Sequence, residues 1–362
     1  MPRWSEEQRR EHPRWGTKRQ AALCAAEDNK TRALLSRAGG TLASALPSEG
    51  VHVLVLFVVL FLLSAPAIAE KNLARPPGTT RYSAMVRKLN ALLKYDQAHE
   101  KRMTLTSLGH SVRGRNLWMV TLSAGGPKRL FYLCRQHGHE PASTEGALMF
   151  MTELVEAGED TPEANSLKLA TVYVVPMANP DGSESFLRHN AHNSDLNRDW
   201  IKRSQPETRA LYAEISRLHP DFLTDQHELY PDDTRPDFTE VVAEGSGAPP
   251  AVIAACEDAQ TVAGGALAAE GIPVVSHTIT DTHPARLVHR FNSLILGIPT
   301  MLFETNRLTG TGRTVAKRAA VHEAFMKTML RYLGGGRDAL VSEAAGQTVL
   351  PAPPSPAEKG TD

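Results

Sequence analysis

His137 and Glu140 stand three residues apart in Gln136-His137-Gly138-His139-Glu140-Pro141-Ala142. In a turn or a first helical turn, that spacing projects both side chains the same way. An imidazole and a carboxylate held together supply two of the three protein donors of a hydrolytic zinc site, whose fourth position stays open. The pair alone is a weak signal. Among 14 histidines about one His-x-x-Glu arises by chance, and a solvated loop is the competing reading. A third donor is available far downstream, where His227 follows Thr224-Asp225-Gln226. His139 is a rival donor, since i and i+2 share a face in extended chain; Glu140 ranks ahead of it. A Cys134 donor ranks lower still, because thiolate usually accompanies closed structural zinc sites or other metals. Asp225 or Glu228 can orient His227 from behind.

These residues recur at the ends of expected strands. The apolar run Leu130 to Cys134 reads as a buried strand that delivers the His137 loop, and Glu145 to Glu156 as an amphipathic helix with Leu148, Met149, Met151, Leu154 and Val155 for its buried side. Ala170 to Pro176 is a second buried strand, followed by Asn179-Pro180-Asp181-Gly182, a turn by composition. Asp221 to Asp225 is a strand ending ahead of His227, and Ile298 to Phe303 one ending ahead of Glu304. Helices are expected over 81–100, 206–218, 249–270 and 315–333, a hairpin over 103–122, and a strand over 272–276. Strands alternating with helices imply a single α/β domain with a mixed, mostly parallel sheet flanked by helices on both faces.

The flanks read differently. Val53 to Leu63 is unbroken apolar sequence, followed by small residues at Ala67 and Ala69. This is the pattern of a secretory signal with cleavage after Ala69, and an exported, periplasmic or secreted product follows. The alternative is a membrane anchor over 53–69, though the run is short of the roughly 20 residues a span needs. Residues 1–69 are thus expected to be leader, 70–350 the catalytic domain, and 351–362, rich in Pro and Ala, a disordered tail. Lys+Arg and Asp+Glu are both 40, so no basic field points to nucleic acid. Beyond the leader only Cys134 and Cys256 remain, too few for a disulfide framework, and Cys134 reads as a core residue.

Several further segments arrive in an order that resembles the zinc metallocarboxypeptidase family. Gln136 to Ala142 is similar to its zinc-binding segment. Asn179 to Gly182 with Arg188 is similar to its connecting loop, and Asp195-Leu196-Asn197-Arg198-Asp199-Trp200 to its substrate-carboxylate segment. His227 falls where the third zinc ligand stands, and Leu302-Phe303-Glu304-Thr305 resembles the segment of the catalytic glutamate. The resemblance spans about 81–333. It implies one zinc per chain on His137, Glu140 and His227, with Glu304 as general base and later proton donor to the leaving amine. It further implies that Arg188 stabilises the oxyanion and that Asn197 and Arg198 hold a substrate carboxylate. One departure stands out. The family usually carries a tyrosine on a loop before the catalytic glutamate, whereas 249–304 contains none and has His277, His283, Arg286, His289 and Arg290 instead. Such a lining would suit an acidic terminal side chain.

Three functions are expected to compete: an exported carboxypeptidase acting on peptides, a cell-wall amidase acting on muropeptides beside diaminopimelate, and a zinc-containing binding protein without activity. An intact Glu304 argues against the last.

Overall fold

The computed structural model describes residues 73–158, 161–281, 285–338 and 340–342. The expected leader, the tail and His283 lie outside the described residues. Among the described residues, no helix is long and apolar enough to cross a membrane.

The sheet has eight strands: β1 (Met103–His110), β2 (Asn116–Leu122), β3 (Lys128–Cys134), β4 (Ala170–Val175), β5 (Phe222–Glu228), β6 (Phe238–Val242), β7 (Val275–Ile279) and β8 (Thr300–Thr305). Their order is β1-β2-β4-β3-β5-β8-β6-β7. The central β4-β3-β5-β8 block is parallel, as is β6 with β7. The β1–β2 hairpin joins antiparallel, and β8 meets β6 antiparallel. The sheet is mixed and mostly parallel, as the alternation of elements predicts.

Alternation along each strand divides the core in two. Leu130, Tyr132 and Cys134 of β3 face a layer built by helices α1 (Tyr82–Ala98), α2 (Ala142–Glu156), α6 (Pro250–Ala269) and α8 (Val315–Arg331). Phe131 and Leu133 face the other layer. It holds Trp200, helix α5 (Pro206–Leu218) and the short helix α7 (Val288–Phe291), which continues as a π-helical turn over Asn292–Leu296. Two shorter helices, α3 (Pro162–Leu167) and α4 (Pro180–Ser185), complete the set. Both cysteines are buried and unbonded, and desolvation pushes the Cys256 thiol up to about 12.

Several expectations need correction. Helix α2 begins at Ala142, three residues early, because Glu228 Oε2 accepts the Ala142 N–H at 2.7 Å and occupies a helix start that lacks a side-chain cap of its own. Met149 is exposed rather than buried. Asn179 to Gly182 is not a free turn: Asn179 Oδ1 accepts the Gly182 N–H and caps α4. His227 and Glu304 lie within their strands, which run on to Glu228 and Thr305, three and two residues past the expected ends. The strand expected at 272–276 sits at Val275–Ile279. Helix α8 does not stop at the glycine run; Gly335 at φ 83 kinks it and helical turns resume beyond.

Candidate metal centre

The candidate donors converge at the carboxyl ends of β3 and β5, where an α/β sheet presents loops from a rigid base. After β3 the chain turns through Arg135, whose guanidinium is buried and donates to Gly138 O and Thr80 O at 3.0 and 3.1 Å. Gly138 lets this loop lie against α4. A Cβ there would meet Gly182 C at 2.0 Å, so no larger residue fits between His137 and His139.

His137 Nδ1 lies 2.8 Å from Glu140 Oε1, and His227 Nδ1 lies 2.8 Å from Glu140 Oε2. The two Nδ1 atoms are 3.0 Å apart. Each imidazole is backed by a carboxylate: His137 Nε2 by Asp195 Oδ1 at 3.1 Å, His227 Nε2 by Asp225 Oδ1 at 3.0 Å. Both nitrogens of each ring therefore face carboxylates. With a cation bound, Asp195 and Asp225 would keep the ring protons on Nε2 and leave both Nδ1 atoms and the Glu140 carboxylate to the ion. All three donor atoms lie within 4.8 Å of one another and all three residues are buried. Nitrogen and oxygen donors with carboxylates behind the imidazoles suit zinc, and three protein donors leave a position open. Without the ion, burial would raise the Glu140 pKa, but His137 and His227 outweigh it and hold the carboxyl well below its usual range. Burial would lower the His227 pKa, and Asp225 and Glu140 outweigh that as well.

A hydrogen-bonded chain fixes the second imidazole. Trp200 Nε1 donates to Gln136 Oε1 at 3.1 Å, and Gln136 Nε2 donates to Asp225 Oδ1 at 2.7 Å. Glu228, the other residue expected behind His227, points to the opposite face. It accepts from Arg318 Nε at 2.5 Å and from the Ala142 N–H.

The remaining expected residues are also brought here. Glu304 is paired with His227 in the β5–β8 ladder, so both project from the same face. It is half-buried and its Oε2 has no hydrogen-bond partner. Desolvation pushes its carboxyl up to about 8; Glu140 and Asp225 add to the rise and His227 opposes it. Arg188 Nη1 lies 3.8 Å from Glu140 Oε1, while its Nη2 pairs with Asp195 Oδ2 at 2.9 Å. Burial would lower its pKa, and Asp195 and Glu140 more than offset this, so the guanidinium stays charged. Arg198 is 59% exposed with its Nε 3.4 Å from Asp195 Oδ2. Asn197 Oδ1 accepts the Val288 N–H at 3.0 Å and its Nδ2 lies 3.3 Å from His227 Nε2.

Asp195 is the residue that reading the sequence undervalued. It touches His137, Arg188 and Arg198 and caps the turn at Asn197, and its position two residues before Asn197-Arg198 was the available signal. Tyr230 was missed too. It stacks edge-on to His139 at 5.3 Å, with the Arg188 guanidinium 5.7 Å from its ring centre. His139 is not among the donors. Its Nδ1 is 3.8 Å from Glu140 Oε1, both its ring nitrogens lack partners, and desolvation lowers its pKa to about 3.

Residues 89–228, which include all three donors, match the zinc carboxypeptidase family. Over those residues the chain is similar to that family. It is 37% identical over 93 residues to the probable carboxypeptidase 2 of Trichophyton verrucosum, covering 26% of this chain and 18% of that protein. It is 32% identical over 130 residues to carboxypeptidase M of Mus musculus, covering 30% and 29% respectively. The matches thus span less than a third of either relative's length. A metallo-carboxypeptidase from Burkholderia cenocepacia superposes with a TM-score of 0.58 at 22% identity, over 68% of each chain, and so shares the fold. The family it resembles is one of zinc carboxypeptidases, and the His137-Glu140-His227 site can hold such an ion.

Proposed function

We propose that this chain is a zinc carboxypeptidase, an exported enzyme that hydrolyses the C-terminal peptide bond of peptides. The observation that carries the reading is the register of β5 on β8, with His227 beside Glu304. It sets a carboxyl with an unpartnered oxygen next to the metal donors, where an attacking water and a leaving amine must both pass. Zinc in the His137, Glu140 and His227 donor set supplies a water of lowered pKa and polarises the scissile carbonyl.

The chain's own groups do the rest. Glu304 takes a proton as the carbon–oxygen bond forms and returns it to the nitrogen as the carbon–nitrogen bond breaks. Its desolvation supports a carboxyl that can exchange a proton near neutrality. Arg188, held by Asp195, directs its guanidinium towards the developing oxyanion. The exposed guanidinium of Arg198 keeps N–H donors for a bidentate grip on the substrate carboxylate, and Asn197 steadies that turn. Export rests on the Ala67-Ile68-Ala69 segment, and N-terminal sequencing of exported protein should begin at Glu70.

One good substrate, offered as free acid and as C-terminal amide, tests the activity. A strong preference for the free acid is expected. Equal cleavage of both forms would replace the reading with an internal amidase or other deacylase.

A further inference from the structure

The strands that serve the metal centre stand side by side as β3-β5-β8. Ladder bonds tie β3 to β5 and β5 to β8 as far as the strand ends. His137 and Glu140 lie past the end of β3, beyond the reach of those ladders. Strand β8 is no neighbour of β3, because β5 stands between them. One side chain crosses the gap. Arg307, two residues past the end of β8, donates from Nε to Leu229 O and from Nη1 to His139 O, each at 2.5 Å.

Both acceptors adjoin candidate donors. The peptide unit between His139 and Glu140 is held at both polar atoms. Its C=O accepts from Arg307, and its N–H donates to His137 O at 3.1 Å. A peptide unit is planar, so holding both atoms sets the plane from which the Glu140 side chain departs. Leu229, two residues past His227, is gripped on both sides as well. Its N–H donates to Thr305 O at 3.0 Å and its C=O accepts from Arg307. Between His227 and Leu229, the Glu228 N–H donates to Glu140 Oε2 at 3.2 Å.

Arg307 is 7% exposed and forms no ion pair among the described residues, and its Nη2 has no hydrogen-bond partner there. Burying a charge is costly unless its donors are matched. No acid accounts for this one; two carbonyls from two separate segments do. A guanidinium fork meets two acceptors at a fixed angle, whereas an ammonium is a point charge on a flexible stem. Arg313, in the same loop, is the contrast. It donates to the two Asp237 oxygens at 2.7 and 2.6 Å, and not to residues 137–140 or 227–230.

We propose that Arg307 is a positioning residue of the metal centre: it joins the exit of the Glu304 strand to the two segments that carry the donors, and so fixes the Glu140 carboxylate against the two imidazoles. The inference rests on the zinc reading of this centre and on no choice of substrate.

The test titrates zinc into the metal-free full chain and follows peptide kinetics beside it. Arg307→Ala should weaken zinc binding by about 10–100-fold and, on the loaded protein, lower kcat by a similar factor with KM nearly unchanged. Millimolar guanidinium, which can enter the space left and remake both bonds, should recover much of the affinity; a general loss of packing would not respond to it. Arg313→Lys should lower the denaturation midpoint without moving zinc affinity. If Arg307→Ala does not fold, Arg307→Lys, which keeps the charge and loses the fork, should show the same zinc deficit. Wild-type zinc affinity in either folded Arg307 variant overturns the proposal, as does an equal deficit in Arg313→Lys. A wild type that binds zinc but cleaves no free-acid peptide overturns the carboxypeptidase reading instead, and Arg307 is then still decided by the affinity ratio.

Discussion

The two sides of β8 are built on opposite terms. On the β5 side, His137, Glu140, His227, Asp195, Asp225 and Gln136 form a network in which every carboxylate and imidazole has at least one partner at 2.7–3.1 Å, Asp225 Oδ2 being the one buried oxygen left without. On the β6 side, His289 Nδ1 and one Glu240 oxygen have none among the described residues. A saturated network holds metal donors at fixed geometry; an unsaturated one keeps donors and acceptors ready for a ligand that brings its own. The difference implies that disturbing the donor network should act on metal and turnover while leaving the β6 side in place.

Removing a donor is the largest perturbation. His227→Ala, or the double variant with His137→Ala, should lose the roughly one zinc per chain and all turnover, read by elemental analysis beside peptide kinetics. Full zinc occupancy in the double variant would dissolve the contrast. Next comes Glu304→Gln, which should keep its zinc and its substrate affinity yet lose about 10²–10⁴-fold in turnover, or roughly 3–5 kcal/mol of barrier. Near-wild-type kcat would mean that another group is the base. Arg198→Ala should act on neither metal nor proton transfer. It should erase the preference for a free acid over an amide, by roughly 10–100-fold, and a variant that still discriminates would move the clamp elsewhere.

A subtler probe is pH. His322 is buried with Gln226 Oε1 at 2.8 Å and Thr305 Oγ1 at 3.1 Å, and desolvation lowers its pKa to about 4. The unfolded chain binds this proton near pH 6.5, the folded chain only near pH 4, so between these values stability falls as pH falls. The loss from this one group reaches about 3 kcal/mol in full. Denaturant titrations at pH 7.5 and 4.5 should show a smaller acid loss in His322→Asn than in wild type; parallel losses would rule the residue out. The smallest effect is expected from Asp225→Asn, which keeps an acceptor for His227 but removes its charge. Zinc affinity should fall by about 10–100-fold with little change in peptide preference.

The saturated side was legible in the sequence because its signals are local. His137 and Glu140 share one loop, Asn197-Arg198 another, and apolar runs announce β3, β4 and β5. The unsaturated side was not. Strand β6 is five residues with Glu240 at its centre and Pro236 just ahead, so it carries no strand-like run. Helix α7 has four residues before its π-helical turn, too few for a period to show. Glu240 is brought beside Leu302 only by a long-range register that propensity does not encode. Met149 shows the same limit in reverse, an apolar residue inside a correct helix but on its open face.

The position of β8 also has a consequence for how the molecule is made. All three metal donors belong to the chain up to residue 228, while Glu304 arrives with the last strand to be synthesised, which must enter between β5 and β6 rather than add at an edge. A ribosome that has reached β7 therefore holds a polypeptide with all three candidate donors, two strands still missing a shared neighbour, and no Glu304. The proposed base is thus the last residue of the site to be made, and any premature stop before residue 300 leaves exposed ladder groups for quality control to find.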